Sequence, residues 1–296
     1  MKKALCKLLL FLLLFCLTDG LAGRLFAYMQ SHAPSYLPGY IAHHANEDVI
    51  IFGSSKGGSN YNMKLLNDSL GLSCLNCADT GNGIIQMYGR YKMLTNRYTP
   101  KFIVYDVRPQ FDLYKNDNSK YTMRLKPLYE EAGIDSIIWS VDNNERYKMF
   151  SALYRNNFQF LEIIKDYSSQ ASFNHSSEKL SRQKMSIIPK AIEPNIEEYD
   201  SLKLYYLETM IKDCKERGIH LVFVVSPEYY HYKSVNYEPL VSLCQQYNVP
   251  FIDRSEDEQY NENKDYFIDS LHMNYWGATM WSLFIVNYIQ SHFTLN

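Results

Sequence analysis

Two short stretches, one near the front of the chain and one near its end, hold residue types that can do chemistry together. Asp48-Val49-Ile50-Ile51-Phe52-Gly53-Ser54-Ser55-Lys56-Gly57 reads as a buried-type strand running into a small-residue turn that carries a serine. Asp269-Ser270-Leu271-His272-Met273-Asn274 sets a carboxylate and an imidazole three residues apart, so that both side chains can face the same way. An aliphatic hydroxyl is a poor nucleophile near neutral pH. It needs an adjacent imidazole, which a carboxylate on the other ring nitrogen holds in one tautomer. Ser55, His272 and Asp269 are therefore candidates for nucleophile, base and orienter in acyl transfer through a covalent ester.

Each stretch has a plainer reading when taken alone. A glycine-flanked serine after a strand is often a phosphate-binding or structural turn. This one lacks the Gly-Lys-Ser/Thr ending of a P-loop, so nucleotide binding falls away. Gly53-Ser54-Ser55-Lys56-Gly57 also fits the Gly-x-Ser-x-Gly elbow of α/β-hydrolases, a fold that antiparallel strands before the elbow would favour. An Asp-x-x-His leading into a helix can be a cap followed by a surface histidine.

The elements that must position these residues alternate along the chain. Strands are expected at 48–53, 72–77, 101–107, 219–225 and 250–253, each apolar enough to be buried on both faces. Helices are expected at 59–70, 83–97, 196–217, 235–247 and 276–291. That order implies parallel strands joined by right-handed crossovers: an α/β, three-layer, flavodoxin-like sandwich whose site lies at the carboxyl edge of the sheet. Residues 110–194 interrupt the alternation. They form a polar, Tyr- and Asn-rich helical insert after the third strand, placed to act as a lid, a substrate cap or a docking surface.

Gly53-Ser54-Ser55 after the first strand, Asn76-Cys77-Ala78-Asp79-Thr80-Gly81 after the second, and Asp269-x-x-His272 before a final helix resemble the SGNH/GDSL hydrolases in content and order, over roughly residues 46 to 290. The resemblance implies Ser55 as nucleophile, His272 as base, Asp269 as its partner, and the backbone amides of Ser55 and Gly81 as oxyanion donors. Two departures stand out. Ser54 occupies the place of the family's usual Asp, and Asp106-Val107-Arg108-Pro109 stands where Gly-x-Asn-Asp is usual. Arg108 therefore falls at the position of the missing oxyanion amide, where a guanidinium can donate to developing charge. In layout the chain is most similar to membrane-anchored, envelope-facing members that acylate or deacylate glycans. The implied activity is that of an exported serine esterase or O-acyltransferase acting on acyl, chiefly acetyl, esters of an envelope glycan. The alternative is a non-catalytic module of the same fold that binds glycan or an envelope protein partner.

Other residues at the expected edge leave their roles open. Asp106 ends the third strand and can serve a structural network or tune the site. Pro227-Glu228-Tyr229-Tyr230-His231-Tyr232 follows the fourth strand, so Tyr229 and Tyr230 can stack on a sugar or simply wedge under a loop.

Bulk properties bound these readings. The chain has 296 residues, 46% of them hydrophobic and 21% charged, and a net charge of -2, enough for one large α/β domain or two small ones, without the basic excess that nucleic acid would demand. Lys2, Lys3 and Lys7 precede an apolar run from Leu8 to Leu17. This charged and then hydrophobic pattern implies export, either with Gly20-Leu21-Ala22 as a cleavage site or as a retained anchor over 1–27 with its amino end in the cytoplasm. Residues 28–46 read as a stem and 47–296 as the hydrolase-like domain. Cys74-Leu75-Asn76-Cys77 has the spacing of a metal or redox half-site, but no second pair follows, and no metal or cofactor is expected.

Overall fold

The computed structural model describes residues 1–33, 35–169, 180–186, 198–229, 236–261 and 263–293. These divide into two compact units. One comprises Asn46–Asp117 and Asn174–Asn296, the other Met1–Ala45 and Asn118–Phe173.

The first unit is built on a five-stranded sheet of β1 (Val49–Gly53), β2 (Cys74–Asn76), β3 (Phe102–Asp106), β4 (His220–Val225) and β5 (Phe251–Asp253), in the order β2-β1-β3-β4-β5. All four pairings are parallel. β1 and β3 are buried at every position, which explains their unbroken apolar runs: helices cover both faces, so alternation has no polar side to report. One face presents Val49, Ile51, Phe102, Val104, Val222 and Val224 to a core closed by helices Met63–Leu70 and Tyr275–His292. Phe52, Tyr105 and Phe223 point the other way and pack ring against ring, as the two-residue period requires. Helix Ser201–Arg217 packs beside Ile84–Thr95 and Glu238–Tyr247, giving the expected α/β sandwich. No antiparallel strand precedes the serine turn among the described residues, so the α/β-hydrolase alternative loses the feature that would favour it.

The second unit is helical and departs from the plain stem and insert anticipated above. The first helix runs on to His32, and a short helix, Leu37–His43, follows it. Within the helical insert the described helices are short, and include Ile134–Val141, Ala152–Asn156 and Phe160–Ser168. Helix Lys2–His32 is long and apolar enough to cross a membrane.

Candidate active site

β1 ends in Gly53, whose φ of 144° is open to glycine and whose Cβ, if present, would stand 2.7 Å from the Asp106 carbonyl on β3. That close approach lets the chain turn sharply, so that Ser54 precedes and Ser55 begins the short helix Ser55–Ser59. The turn is held from beside it. The Asp79 N–H donates to the Gly53 carbonyl at 3.0 Å, and the Asn76 amide donates to the Gly57 carbonyl at 2.9 Å.

The far end of the chain arrives at the same place. Ser55 Oγ lies 2.8 Å from His272 Nε2, and His272 Nδ1 lies 2.8 Å from Asp269 Oδ2 and 3.0 Å from Oδ1. With the carboxylate at Nδ1, that nitrogen carries the proton, and Nε2 is left to accept the Ser55 hydroxyl. Asp269 also fixes its own loop, accepting from the Leu271 and His272 backbone N–H groups at 2.9 Å each. Partial burial alone would raise its pKa, but the hydrogen bonds from the His272 ring and these two amides outweigh burial and hold the carboxyl at about 2. The carboxylate is thus charged throughout the pH range in which an imidazole works as a base.

Residues to which the sequence analysis gave no role align the two arms. Asn60 is fully buried; its side-chain carbonyl accepts from the Met273 N–H at 2.9 Å and its amide donates to Ser226 Oγ at 2.9 Å. It therefore ties the residue after His272 to the segment after β4. Asn274 caps helix Tyr275–His292 by accepting from the Trp276 and Gly277 N–H groups, which ends the histidine loop at a fixed point. Lys56, next to Ser55, is 1% exposed and donates to the Ser226 carbonyl and to Glu228, each at 2.8 Å. The only sequence cue to Asn60 is the polar run Ser59-Asn60-Tyr61-Asn62, where an unbroken helix from 59 is the simpler expectation. The structure instead breaks the helix there and starts a new one at Met63, capped by Asn62.

The remaining candidates are distributed unequally. Asp106 is buried within a network, accepting from the Tyr61 hydroxyl at 3.1 Å and the Ser226 N–H at 3.3 Å; burial raises its pKa against the pull of Lys56. Arg108 opens a short turn after β3, with its guanidinium 3.9 Å from Glu228. Gly81, at φ 74°, follows the loop whose Asp79 is ion-paired with the buried Arg90 at 2.6 Å. Among the described residues neither the Ser55 nor the Gly81 backbone N–H has an acceptor within the chain. Tyr229 is not a platform for sugar: it is 5% exposed, with its ring edge-on to Phe267 inside the core, so it fills the wedge role. Tyr230 lies outside the described residues. Cys74 and Cys77 are both buried, and burial pushes the Cys74 thiol up to about 12, as for small core residues.

The fold and these contacts define a parallel α/β protein with a Ser-His-Asp relay at the carboxyl edge of its sheet. No protein-family model matches the sequence, and no curated protein matches it. Among solved structures the chain is similar to a GDSL-like lipase from Bacteroides thetaiotaomicron, at 10% identity and a TM-score of 0.40 over 83% of this chain and 88% of that one. It is similar to an acetyl xylan esterase at 12% identity and a TM-score of 0.40, over 83% of this chain and 100% of that one. A third similar structure is an alpha/beta hydrolase enzyme from the metagenome of Lake Arreo, Spain, at 10% identity and a TM-score of 0.42, over 86% of this chain and 100% of that one. With likeness at that level, the distances around Ser55 carry the chemical reading.

Proposed function

We propose that this chain is a membrane-tethered serine esterase or O-acyltransferase of the SGNH/GDSL type, facing away from the cytoplasm and acting on acyl esters of an envelope glycan. The observation that carries the reading is the unbroken relay from Ser55 Oγ through His272 to the charged Asp269. Ser55 attacks the ester carbonyl while His272 Nε2 takes its proton. Asp269 stabilises the resulting imidazolium, and the proton returns to the leaving alcohol. The Ser55 and Gly81 N–H groups are the proposed oxyanion donors, with Arg108 taking the place of the usual side-chain amide. Water or a sugar hydroxyl then resolves the acyl-enzyme, giving hydrolysis or transfer. The Lys2, Lys3 and Lys7 cluster before the apolar helix supports a cytoplasmic amino end.

Turnover of p-nitrophenyl acetate by the full chain in detergent tests the reading. Ser55→Ala and His272→Ala should each abolish turnover while near-UV circular dichroism stays unchanged. Equal turnover in either variant would contradict the assignment. Adding acetylated and free glycan oligosaccharides as donor and acceptor separates transfer from hydrolysis by product mass.

A further inference from the structure

The oxyanion donor proposed at Gly81 is only as good as the peptide plane that carries it. The Asp79 carbonyl accepts from the Asn82 N–H at 3.1 Å, closing a four-residue turn in which Gly81 stands third, at a φ of 74°. A Cβ on Gly81 would meet nothing within 4 Å, so the tip takes its orientation from the residues at its base.

That base is fastened on two sides. Toward the nucleophile, the Asp79 N–H donates to the Gly53 carbonyl at 3.0 Å, and a Cβ on Gly57 would stand 2.9 Å from the Ala78 Cβ. The loop therefore lies directly on the short helix that Ser55 begins. On the other side stands Arg90, 2% exposed, on helix Ile84–Thr95, whose residues are all buried except Lys92. Its Nη1 donates to the Cys77 carbonyl at 2.5 Å and to the Ala78 carbonyl at 3.2 Å, and its Nη2 donates to Asp79 Oδ2 at 2.6 Å. Gln86, one turn earlier on the same helix, donates to the same Asp79 oxygen at 2.6 Å. One guanidinium thus holds three consecutive residues of the loop.

Stability alone does not call for this arrangement. Removing a guanidinium and a carboxylate from water can cost as much as their attraction returns, and an apolar pair of similar volume often holds a fold as well. A planar fork does what an apolar pair cannot: it fixes the directions of two carbonyls and a carboxylate at once. The Thr80–Gly81 peptide follows directly on the residues so fixed. None of the three acceptors belongs to the Ser-His-Asp relay.

We propose that Arg90 and Asp79 are a positioning pair for the oxyanion site. Without touching substrate, they hold the Gly81 N–H where the negative charge of the tetrahedral intermediate develops. This inference rests on the esterase reading above, and the test keeps the two separable.

Three forms of the full chain are compared in detergent: wild type, Arg90→Lys, and Arg90→Met combined with Asp79→Leu. The lysine keeps the charge and loses the fork; the apolar pair keeps volume and strands no buried charge. Each is assayed for p-nitrophenyl acetate kcat and KM, for the pH midpoint of kcat/KM, and for inhibition by an aryl trifluoromethyl ketone. Ser55 Oγ adds to the ketone carbon while its proton passes to His272, and the carbonyl oxygen becomes an alkoxide in place of the oxyanion. Both variants should keep the wild-type near-UV spectrum, lower kcat by about 30-fold and weaken the ketone by a similar factor. KM should stay within about twofold and the pH midpoint should not move, because His272 and Asp269 keep their contacts. A folded variant with unaltered kcat and ketone affinity would overturn the inference and leave the esterase reading standing. A loss of kcat with unaltered ketone affinity, or with a displaced pH midpoint, would also overturn it, since the damage would then lie in the relay. Unfolding of both variants would assign the pair to the fold and overturn it as well. Wild-type protein that neither turns over the ester nor binds the ketone would overturn both readings.

Discussion

The two units of this chain solve the problem of burial in opposite ways. The sheet unit closes its core on both faces and then spends polar side chains inside it: Asn60, Lys56, Asp106 and Ser226 are all buried and hydrogen-bonded around the approach of Ser55 to His272. The helical unit buries few polar groups, chiefly Asp19, Gln30, Glu145, Asn156 and Gln159, and leaves Phe150, Phe158 and Leu161 bare. Buried polar networks fix one geometry, because each member is costly to leave unpaired. On the function proposed above, the first unit carries the chemistry and the second holds the chain at its place of work.

That contrast can be broken most severely at the relay. Ser55→Ala or His272→Ala should lower acetyl-ester kcat by on the order of 10^3-fold or more, read by stopped assays on purified protein, with the melting transition unmoved. Gly53→Ala attacks the turn rather than the relay. A methyl facing the Asp106 carbonyl at 2.7 Å, at a φ of 144°, should cost roughly 3 kcal/mol in urea unfolding followed by the fluorescence of Trp276 and Trp281.

Asn60→Ala sharpens the comparison, because it leaves Met273 N–H and Ser226 Oγ without their partner while sparing every reacting atom. It should destabilise by about 2 kcal/mol and lower kcat roughly tenfold with KM little changed; an unaltered kcat would show that the clip does not position His272. A pH effect is expected at Asp112, which is buried and accepts from the Arg108 N–H at 2.6 Å and the Tyr105 hydroxyl at 2.7 Å. Burial outweighs these bonds and pushes its carboxyl up to about 6 from 3.8. The folded state then holds a proton that the unfolded chain has lost, so stability should fall as pH rises from about 4 to about 6, by at most about 1.4 kcal/mol per pH unit. Asp112→Asn should flatten that slope in urea titrations at stepped pH. In the helical unit, Asp19→Leu removes the acceptor of Ser151 Oγ and of the Ala152 and Leu153 N–H groups, so limited proteolysis near 151–153 should become faster while small-ester turnover changes less than about twofold.

Much of the sheet unit is legible in the sequence, because strands buried on both faces announce themselves as apolar runs and the serine and Asp-x-x-His stretches sit at strand and helix ends. All five strands lie within a residue or two of their expected bounds. Asn60 is not legible, since nothing local distinguishes a buried clip from a polar helix start; its partners, Ser226 and Met273, are remote in sequence. The pairing of Asp19 with residues 151–153 is hidden for the same reason, which is why 28–46 reads as a loose stem until the helix is seen to continue to His32. Tyr229 fails differently: an aromatic run after a strand has the same composition whether its rings face a ligand or Phe267.

The most direct test of the central claim is covalent. The full chain in detergent is treated with a fluorophosphonate and digested, and the adduct is mapped by tandem mass spectrometry. The expected result is a single modified serine, Ser55, labelled far faster than in the His272→Ala variant. Labelling that is absent, or no faster than in the His272→Ala variant, would mean that the imidazole does not activate this hydroxyl.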